Sequence, residues 1–280
     1  IAGLMGLAGF LFKMAAAPMH AWAPDVYQAA PMPVIAFLSV GPKLAAIGIL
    51  TKFVLAVHLF GQGEFDWQVI IAAIAILTIT IGNFSALWQK NPKRMMAYSS
   101  IAQSGFLLVG LAAFLPQGLH FMLFYAAIYL LMNFSVFVYL SWFEKQGIAT
   151  TDSFAGKGKG FIWASIGLTV GLIALTGIPP TSGFTAKLFI FSSLWESYEE
   201  TRKSLLIWLL IFGLLNTVVS LFYYLRIPYA AFIKAGEPAV LQKKALLENL
   251  LGLILVVLLV TIFFMPGLLM SLINRITFVL

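Results

Sequence analysis

The sequence GIPPTSG, residues 177–183, interrupts an apolar segment that extends from about residue 161 to residue 196. Two adjacent prolines remove two N–H donors from a helix and clash with the preceding turn, so the segment cannot continue as one plain helix. Backbone groups freed at membrane depth are tolerated only inside a protein or beside a water-filled cavity. The stretch therefore predicts a broken membrane helix whose break lies inside a helix bundle.

The composition of the chain is that of a membrane protein. Of its 280 residues, 61% are hydrophobic and 10% are charged, whereas a soluble domain contains about 25% charged residues. The lack of cysteine excludes disulfides and thiolate metal sites, and the three histidines show no metal-ligand spacing. We expect no metal, no cofactor on this chain and no nucleic-acid partner, because the formal charge of +7 fits basic loops at a membrane surface.

Eight apolar segments approach the length of about 20 residues that a membrane helix needs. They predict an all-α, polytopic membrane helix bundle that forms a single transmembrane domain over residues 1–280. The chain begins inside an apolar segment without an initiator methionine or a signal peptide, so we expect it to be N-terminally incomplete. The segments lie near residues 1–22, 33–58, 67–88, 94–115, 118–142, 161–196 (broken at 177–183), 204–226 and 249–270.

Basic residues in the predicted loops are distributed unequally between the two membrane faces. Cytoplasmic loops carry an excess of lysine and arginine, so the richer face is predicted to be cytoplasmic. Three basic residues lie on the other face, namely Arg202, Lys203 and Arg275. The ten on the cytoplasmic face are Lys90, Lys93, Arg94, Lys145, Lys157, Lys159, Arg226, Lys234, Lys243 and Lys244.

Lys13, Lys43 and Lys187 lie near the middle of their apolar segments. Each is nine or ten residues from the nearer end of its segment, a depth of about 14–15 Å in a helix. A lysine at the centre of the bilayer costs about 2.5–3.5 kcal/mol or more, so its presence indicates a polar interior and a function. Lys52 is six residues from its helix end, and we expect it to snorkel to the surface.

The three central lysines have no acidic residue at their depth. All ten carboxylates of the chain fall in predicted loops or at segment ends, although buried charges are normally paired. Either the acid lies on a neighbouring or missing part of the protein, or the lysines are partly neutral. Both possibilities suit proton transfer, because a desolvated lysine can release its proton near neutral pH.

A short repeat surrounds two of these lysines. Gly and Phe precede Lys13 by four and three residues, as they do Lys187, in the stretches 9–13 and 183–187. By the charge-based topology the two stretches cross the membrane in opposite directions. This pattern is typical of inverted repeats, in which ion sites lie at broken helices near the midplane.

Polar residues in two neighbouring segments are candidates for a hydrated proton path between the lysines. One group lies near the cytoplasmic end of the fourth segment, and the other recurs at i, i+4 and i+8 on one face of the fifth. Hydrogen bonding between membrane helices explains such residues equally well. The first group is Tyr98, Ser99, Ser100, Gln103 and Ser104, the second is Tyr125, Tyr129 and Asn133, and our candidate path residues are Tyr98, Ser99, Tyr125 and Asn133.

Three stretches resemble the antiporter-like subunits of respiratory complex I. They are KMAAAPMHAWAPDVY at residues 13–27, KRMMAYSSI at 93–101 and GIPPTSGF at 177–184, the last followed by Lys187. The Asp-Val-Tyr sequence at 25–27 and Lys43 favour the N-type subunit, and Lys187 argues against the M-type, which carries a glutamate there. Because the sequence ends soon after the eighth segment, we expect it not to have the long lateral helix of the L-type.

The resemblance implies half of an inverted-repeat, antiporter-like fold with broken helices, in which the eight segments would be the seventh to the fourteenth helix. It implies a proton-translocating subunit of an NADH:quinone oxidoreductase that carries no redox cofactor. Lys13 would be the broken-helix lysine that pairs with a glutamate on an earlier helix, Lys43 the central relay lysine, and Lys187 the terminal one. The implied partners are the M-type and the small K-type membrane subunits, in a bacterial inner membrane, a thylakoid or another energy-coupling membrane.

Two alternatives remain open on the sequence. The same fold serves in multi-subunit cation/proton antiporters that have no redox partners. A purely structural membrane spacer would retain the lysines without using them.

Overall fold

The computed structural model describes residues 2–60, 65–236 and 246–276. Lys243 and Lys244, assigned above to the cytoplasmic face, lie outside these residues, as do two of the ten carboxylates, Glu64 and Glu237. The described part consists of α-helices, one short 3₁₀ helix at Asp152–Phe154 and connecting turns. The α-helices are α1 (Ala2–Met14), α2 (Ala23–Ala29), α3 (Met32–Phe60), α4 (Trp67–Leu87), α5 (Pro92–Ala112), α6 (Pro116–Lys145), α7 (Ile162–Thr176), α8 (Ser182–Thr201), α9 (Ser204–Phe232), α10 (Leu246–Phe264) and α11 (Pro266–Ile273).

Six of the described helices are long and apolar enough to cross a membrane, namely α3, α4, α5, α6, α9 and α10. Two shorter apolar helices, α1 and α7, are joined to further helical segments by breaks. A bundle of this kind satisfies its backbone groups within each helix, as a lipid environment requires. The predicted fold class, an all-α polytopic membrane bundle, is confirmed.

The ends of three segments differ by six residues or more from the positions that the sequence predicts, and the segment expected at 204–226 continues as α9 to Phe232. The first segment, expected near 1–22, ends as a helix at Met14, because Pro18 cannot donate an N–H to the Met14 carbonyl and Ala15 adopts a positive φ of 52°. The last, expected near 249–270, ends at Phe264, and a new short helix starts at Pro266. Proline at the first position of a helix is compatible with its start but not with its continuation.

The break predicted at 177–183 lies between α7 and α8. Gly177 has the left-handed φ of 84° that favours glycine, and it caps the C-terminus of α7. Gly183, in the first turn of α8, faces the end of α7 so closely that an added Cβ would lie 1.9 Å from the Ala174 carbonyl oxygen. Glycine at position 183 therefore allows the two half-helices, α7 and α8, to pack closely against each other at the break.

Helix α5 is the centre of the bundle. Of its membrane-length window 94% is buried, compared with 11% for α10, whose side chains face outward. α5 begins at Pro92, and the Asn91 side chain caps its N-terminus by accepting from the Lys93 and Arg94 N–H groups. It packs against α2, α3, α4, α6, α8 and α9. The polar residues in the middle of α5, namely Ser99, Ser100, Gln103 and Ser104, are consequently buried in the protein interior.

Ion pairs near the helix ends lie at both of the faces that the charges predict. At the face predicted to be cytoplasmic, Lys93 pairs with Glu144 at 2.7 Å. At the other face, Lys203 pairs with Asp66 at 2.5 Å. Partial burial raises the pKa of the Asp66 carboxyl, but its bonds to the Lys203 ammonium and the Val69 N–H outweigh burial, so the pKa is lowered overall.

Arg226 caps the C-terminus of α4 from α9. Its guanidinium donates to the carbonyls of Leu87 at 2.5 Å and Gln89 at 2.7 Å. We expect Arg226→Met to destabilise the protein by about 1–3 kcal/mol, because it leaves both carbonyls without this donor. Arg226→Lys should recover only part of this loss, since an ammonium lacks the fork geometry.

The measurement for Arg226 is the midpoint of thermal unfolding of the purified protein in detergent. Lys234→Met is the matched control, because Lys234 forms only an exposed ion pair with Asp152 at 3.5 Å. Equal midpoints for Arg226→Met and Lys234→Met would contradict the capping role.

Candidate functional site

Lys43 is fully buried, and its ammonium group has a complete set of acceptors. Its Nζ donates to the Ser100 carbonyl at 2.6 Å, to Ser100 Oγ at 2.8 Å and to Ser104 Oγ at 3.0 Å. A lysine ammonium has three N–H donors, so each proton has one partner. The site accommodates a charged lysine without a carboxylate.

The two serines come from one face of α5. Ser100 and Ser104 are four residues apart, so both project toward α3. Lys43 follows Pro42 inside α3, which continues as a helix from Met32 to Phe60. Ser100 Oγ also contacts the buried Tyr27 hydroxyl of the short helix α2 at 3.1 Å. The site of Lys43 thus joins α2, α3 and α5.

Lys187 is buried beside the helix break, with 4% of its surface exposed. Its Nζ donates to the Thr176 carbonyl at 2.7 Å and contacts Thr217 Oγ1 at 3.5 Å. It also lies 4.3 Å from the centre of the Phe106 ring. Thr176 is the last residue of α7, and the negative end of that helix together with the face of an aromatic ring favours a cation.

Gly177 leaves room for the lysine stem. A Cβ at this position would lie 2.8 Å from Lys187 Cδ, in addition to the strain that a side chain meets at positive φ. The break therefore supplies both the carbonyl that binds Lys187 and the space for its side chain.

Ion pairs in the described residues involve neither Lys43 nor Lys187. The five pairs are Lys93–Glu144, Arg94–Asp25, Lys145–Glu248, Lys203–Asp66 and Lys234–Asp152. Hydroxyl and carbonyl oxygens take the place of a counter-charge at both lysines. Such groups bind a proton on lysine without fixing it there as strongly as a carboxylate does.

Lys13 is placed differently from the other two candidate lysines. It lies in the last turn of α1, and its side chain is exposed on the surface of the described residues. Lys52, which we expected to reach the membrane surface, is also exposed. Lys13 is linked to Lys43 through Met14, the residue that follows it in the chain. Ser104 Oγ, which accepts from Lys43, donates to the Met14 carbonyl at 2.7 Å.

Ser99 and Tyr125 meet at a second polar cluster, on the side of α5 that faces α7 and α9. The Tyr125 hydroxyl donates to Gln103 Oε1, and the Ser99 hydroxyl is bonded to the Tyr224 hydroxyl. Gln103 Nε2 donates to the Leu175 carbonyl at 3.2 Å and contacts the Tyr224 hydroxyl at 3.4 Å. Leu175, whose carbonyl binds this cluster, directly precedes Thr176, whose carbonyl binds Lys187.

Asn133 and Tyr98 lie apart from both lysines. Asn133 Nδ2 donates to Ser39 Oγ at 2.8 Å and to the Tyr129 hydroxyl at 2.9 Å, one turn before Lys43 on α3. Tyr98 is half-buried and interacts with Arg94, which pairs with Asp25 at 2.6 Å. Neither side chain is hydrogen-bonded to Lys43 or Lys187 in the described residues.

Several residues that contact the two buried lysines, or the polar side chains beside them, were not among our candidates. Tyr224 could have been recognised from the sequence, because the two neighbouring tyrosines, Tyr223 and Tyr224, place hydroxyl groups within the apolar helix α9. The roles of the Thr176 carbonyl and the Phe106 ring depend on how α7 and α5 pack, so residue type alone does not reveal them. The partners found only in the structure are Tyr27, Phe106, Thr176, Thr217 and Tyr224.

Each of the two buried lysines has a hydroxyl group within reach: Ser100 and Ser104 at Lys43, and Thr217 at Lys187. A hydroxyl both donates and accepts, so a chain of hydroxyls and water can exchange a proton with a lysine. Carbonyl and amide groups instead orient the lysine ammonium. α5 contacts Lys43 through Ser100 and Ser104 and contacts Lys187 through Phe106. One buried helix therefore borders both ammonium groups.

The sequence profile of a transmembrane family described as NADH:quinone oxidoreductase/Mrp antiporter matches residues 1–220. The chain belongs to this family. It is 41% identical over 241 residues to NADH-quinone oxidoreductase subunit N of Chlorobium chlorochromatii (strain CaD3), an alignment that covers 83% of this chain and 46% of that protein. The chain thus spans about half the length of the curated relatives that it matches.

Solved structures share the fold. A chain of respiratory complex I from Thermus thermophilus with bound aureothin has a TM-score of 0.76 and 28% identity, over 94% of this chain and 56% of that one. A chain of the Mrp complex from Dietzia sp. DQ12-45-1b has a TM-score of 0.85 over 97% of this chain and 57% of that one. At 19% identity the second likeness concerns the fold alone. The chain has half of the inverted-repeat, antiporter-like fold with broken helices.

Proposed function

We propose that this chain is part of the N-type, proton-translocating membrane subunit of an NADH:quinone oxidoreductase. The observation that carries the proposal is the pair of buried lysines, Lys43 and Lys187, on two sides of α5, each bound by hydroxyl or carbonyl oxygens without a carboxylate in the described residues. The relatives named as subunit N of this oxidoreductase support it.

In this proposal protons pass along Lys13, Lys43 and Lys187, with Ser99 and Tyr125 in the hydrated path. Tyr98 and Asn133 stay candidates for the outer parts of that path. The chain carries no redox cofactor, and electron transfer elsewhere in the enzyme supplies the energy as an electrostatic or conformational change. Protonation of one lysine disfavours charge on its neighbour, so the lysines titrate as a coupled set.

The proposed partners are the M-type and small K-type membrane subunits, and the proposed location is a bacterial inner membrane or a thylakoid. The apolar exposed surfaces of α9 and α10 suit contact with lipid or with other membrane subunits. A glutamate contributed from outside the described residues would pair with Lys13, whose side chain is exposed.

The proposal predicts that Lys43→Ala slows NADH-driven proton translocation by roughly tenfold or more, because the relay loses its central proton-exchanging group. Proton uptake is measured with a pH-sensitive dye in membrane vesicles that contain the assembled enzyme at equal content. Lys52→Ala is the matched control, since Lys52 is an exposed lysine on the same helix. An unchanged rate in Lys43→Ala would overturn the relay assignment.

A subunit of a cation/proton antiporter without redox partners is the second candidate, because the family includes Mrp antiporters and the Mrp structure shares the fold. Copurification separates the two candidates. Recovery with iron–sulfur subunits and NADH-dependent activity supports the oxidoreductase. Recovery of a complex that exchanges Na⁺ for protons without NADH supports the antiporter.

A further inference from the structure

The carbonyl of Met14, at the C-terminus of α1, has lost its helical donor. In a continuing helix it would accept from the N–H of the residue four positions on, but that residue is Pro18, which has none. The N–H of Ala17 donates instead to Thr78 Oγ1 at 3.1 Å. The carbonyl that directly follows Lys13 in the chain therefore depends on a donor from another helix.

Ser104 supplies that donor and contacts Lys43 at the same time. Its Oγ lies 2.7 Å from the Met14 carbonyl oxygen and 3.0 Å from Lys43 Nζ. Ser104 is fully buried, and a hydroxyl has only one hydrogen to donate. While Lys43 is charged, its N–H points at Ser104 Oγ, and the hydroxyl hydrogen can donate to the Met14 carbonyl, which at 2.7 Å is nearer than its other acceptor, the Ser100 carbonyl at 3.0 Å.

We propose that Ser104 is a positioning residue that couples the protonation of Lys43 to the end of the helix that carries Lys13. A neutral Lys43 has two N–H groups and one lone pair in place of three donors. The Ser104 hydroxyl can then turn and donate to that lone pair, which withdraws the donor from the Met14 carbonyl. This inference rests on the proposed relay and adds the group that connects its first two lysines.

Ser100 provides the internal comparison. Its hydroxyl also accepts from Lys43, at 2.8 Å, but its other side-chain partner is Tyr27 at 3.1 Å and it does not contact Met14. Loss of either hydroxyl removes one acceptor from Lys43. Only the loss of Ser104 also removes the connection to α1.

The test compares Ser104→Ala, Ser104→Thr and Ser135→Ala in the assembled enzyme, with the rate of NADH-driven proton translocation as the readout. Ser135 is a buried serine of α6 whose hydroxyl has no hydrogen-bond partner among the described residues, so its loss controls for the removal of a hydroxyl from the bundle. We expect Ser104→Ala to slow translocation about fivefold to tenfold. Ser104→Thr should restore most of the rate because it keeps the hydroxyl, and Ser135→Ala should match the parent.

Three outcomes would overturn the proposal: an unchanged rate in Ser104→Ala, a Thr variant as slow as the Ala variant, or an equal loss in Ser135→Ala. If Ser104→Ala does not assemble, Ser104→Cys gives the same comparison with a much weaker donor. Loss of pumping in Lys43→Ala together with normal pumping in Ser104→Ala would refute the coupling alone. Normal pumping in Lys43→Ala would refute the relay itself.

Discussion

Replacing Lys187 with methionine is expected to slow NADH-driven proton translocation by roughly tenfold or more. Methionine retains most of the side-chain volume beside Gly177 and Phe106, so the bundle stays packed. What it removes is the ammonium that donates to the Thr176 carbonyl at the break between α7 and α8. The effect should therefore fall on proton transfer while the enzyme still assembles.

Lys203→Met is the control for Lys187. Lys203 follows the same helix, α8, but it is partly exposed and pairs with Asp66 at 2.5 Å, and such surface pairs contribute little. Assembly is followed by the amount of enzyme in native gels, and translocation is followed in vesicles at equal enzyme content. Equal rates in the Lys187 and Lys203 variants would show that the buried ammonium is not required.

Replacing Gly183 with alanine is expected to prevent assembly or to destabilise the protein by more than about 3 kcal/mol. The added Cβ would lie 1.9 Å from the Ala174 carbonyl oxygen and 2.9 Å from Met132 Sδ. A methionine side chain can move aside, but the Ala174 carbonyl belongs to the backbone of α7. Relief requires the two half-helices to separate, which also displaces Lys187 from the Thr176 carbonyl.

Gly48→Ala is the matched control for Gly183→Ala. Gly48 lies inside α3, and apart from the neighbouring residues and the backbone of its own helix turn, no atom of the described residues lies within 4 Å of the position that its Cβ would take. Alanine is the better helix former by about 1 kcal/mol, so this variant should be as stable as the parent or more stable. The measurement is protein abundance in the membrane and the unfolding midpoint in detergent. A Gly183→Ala protein as abundant and stable as the control would refute the close packing.

The sequence was informative where a residue conflicts with its surroundings. Prolines in an apolar segment predicted the break, and the structure has it between Thr176 and Ser182. Their central position in apolar segments identified Lys13, Lys43 and Lys187, of which the structure buries Lys43 and Lys187 and leaves Lys13 exposed at the surface of the described residues. The cost of placing a proline in a helix or a charge in lipid is large and local, so it can be recognised without knowledge of the fold.

The sequence did not predict which side chains of neighbouring helices contact each other. Ser100 and Ser104 stood in the predicted polar group, yet nothing in their spacing indicated that both bind Lys43. Tyr98 stood in the same group but interacts with Arg94 instead. The rotation of α5 about its axis decides which of these side chains faces a lysine, and that rotation depends on packing against six neighbouring helices.

The role of the lysines in moving protons stays a prediction, and one measurement tests it most directly. Lys13, Lys43 and Lys187 are replaced together by alanine, and the rate of NADH-driven proton translocation is measured in vesicles at equal enzyme content. The control carries Lys52→Ala, which removes an exposed lysine, and Lys203→Ala, which removes a partly exposed lysine that pairs with Asp66. A relay predicts that the triple variant loses at least about nine-tenths of the parent rate while the control keeps it. A triple variant that pumps as fast as the control would contradict the relay and would make the chain a structural spacer.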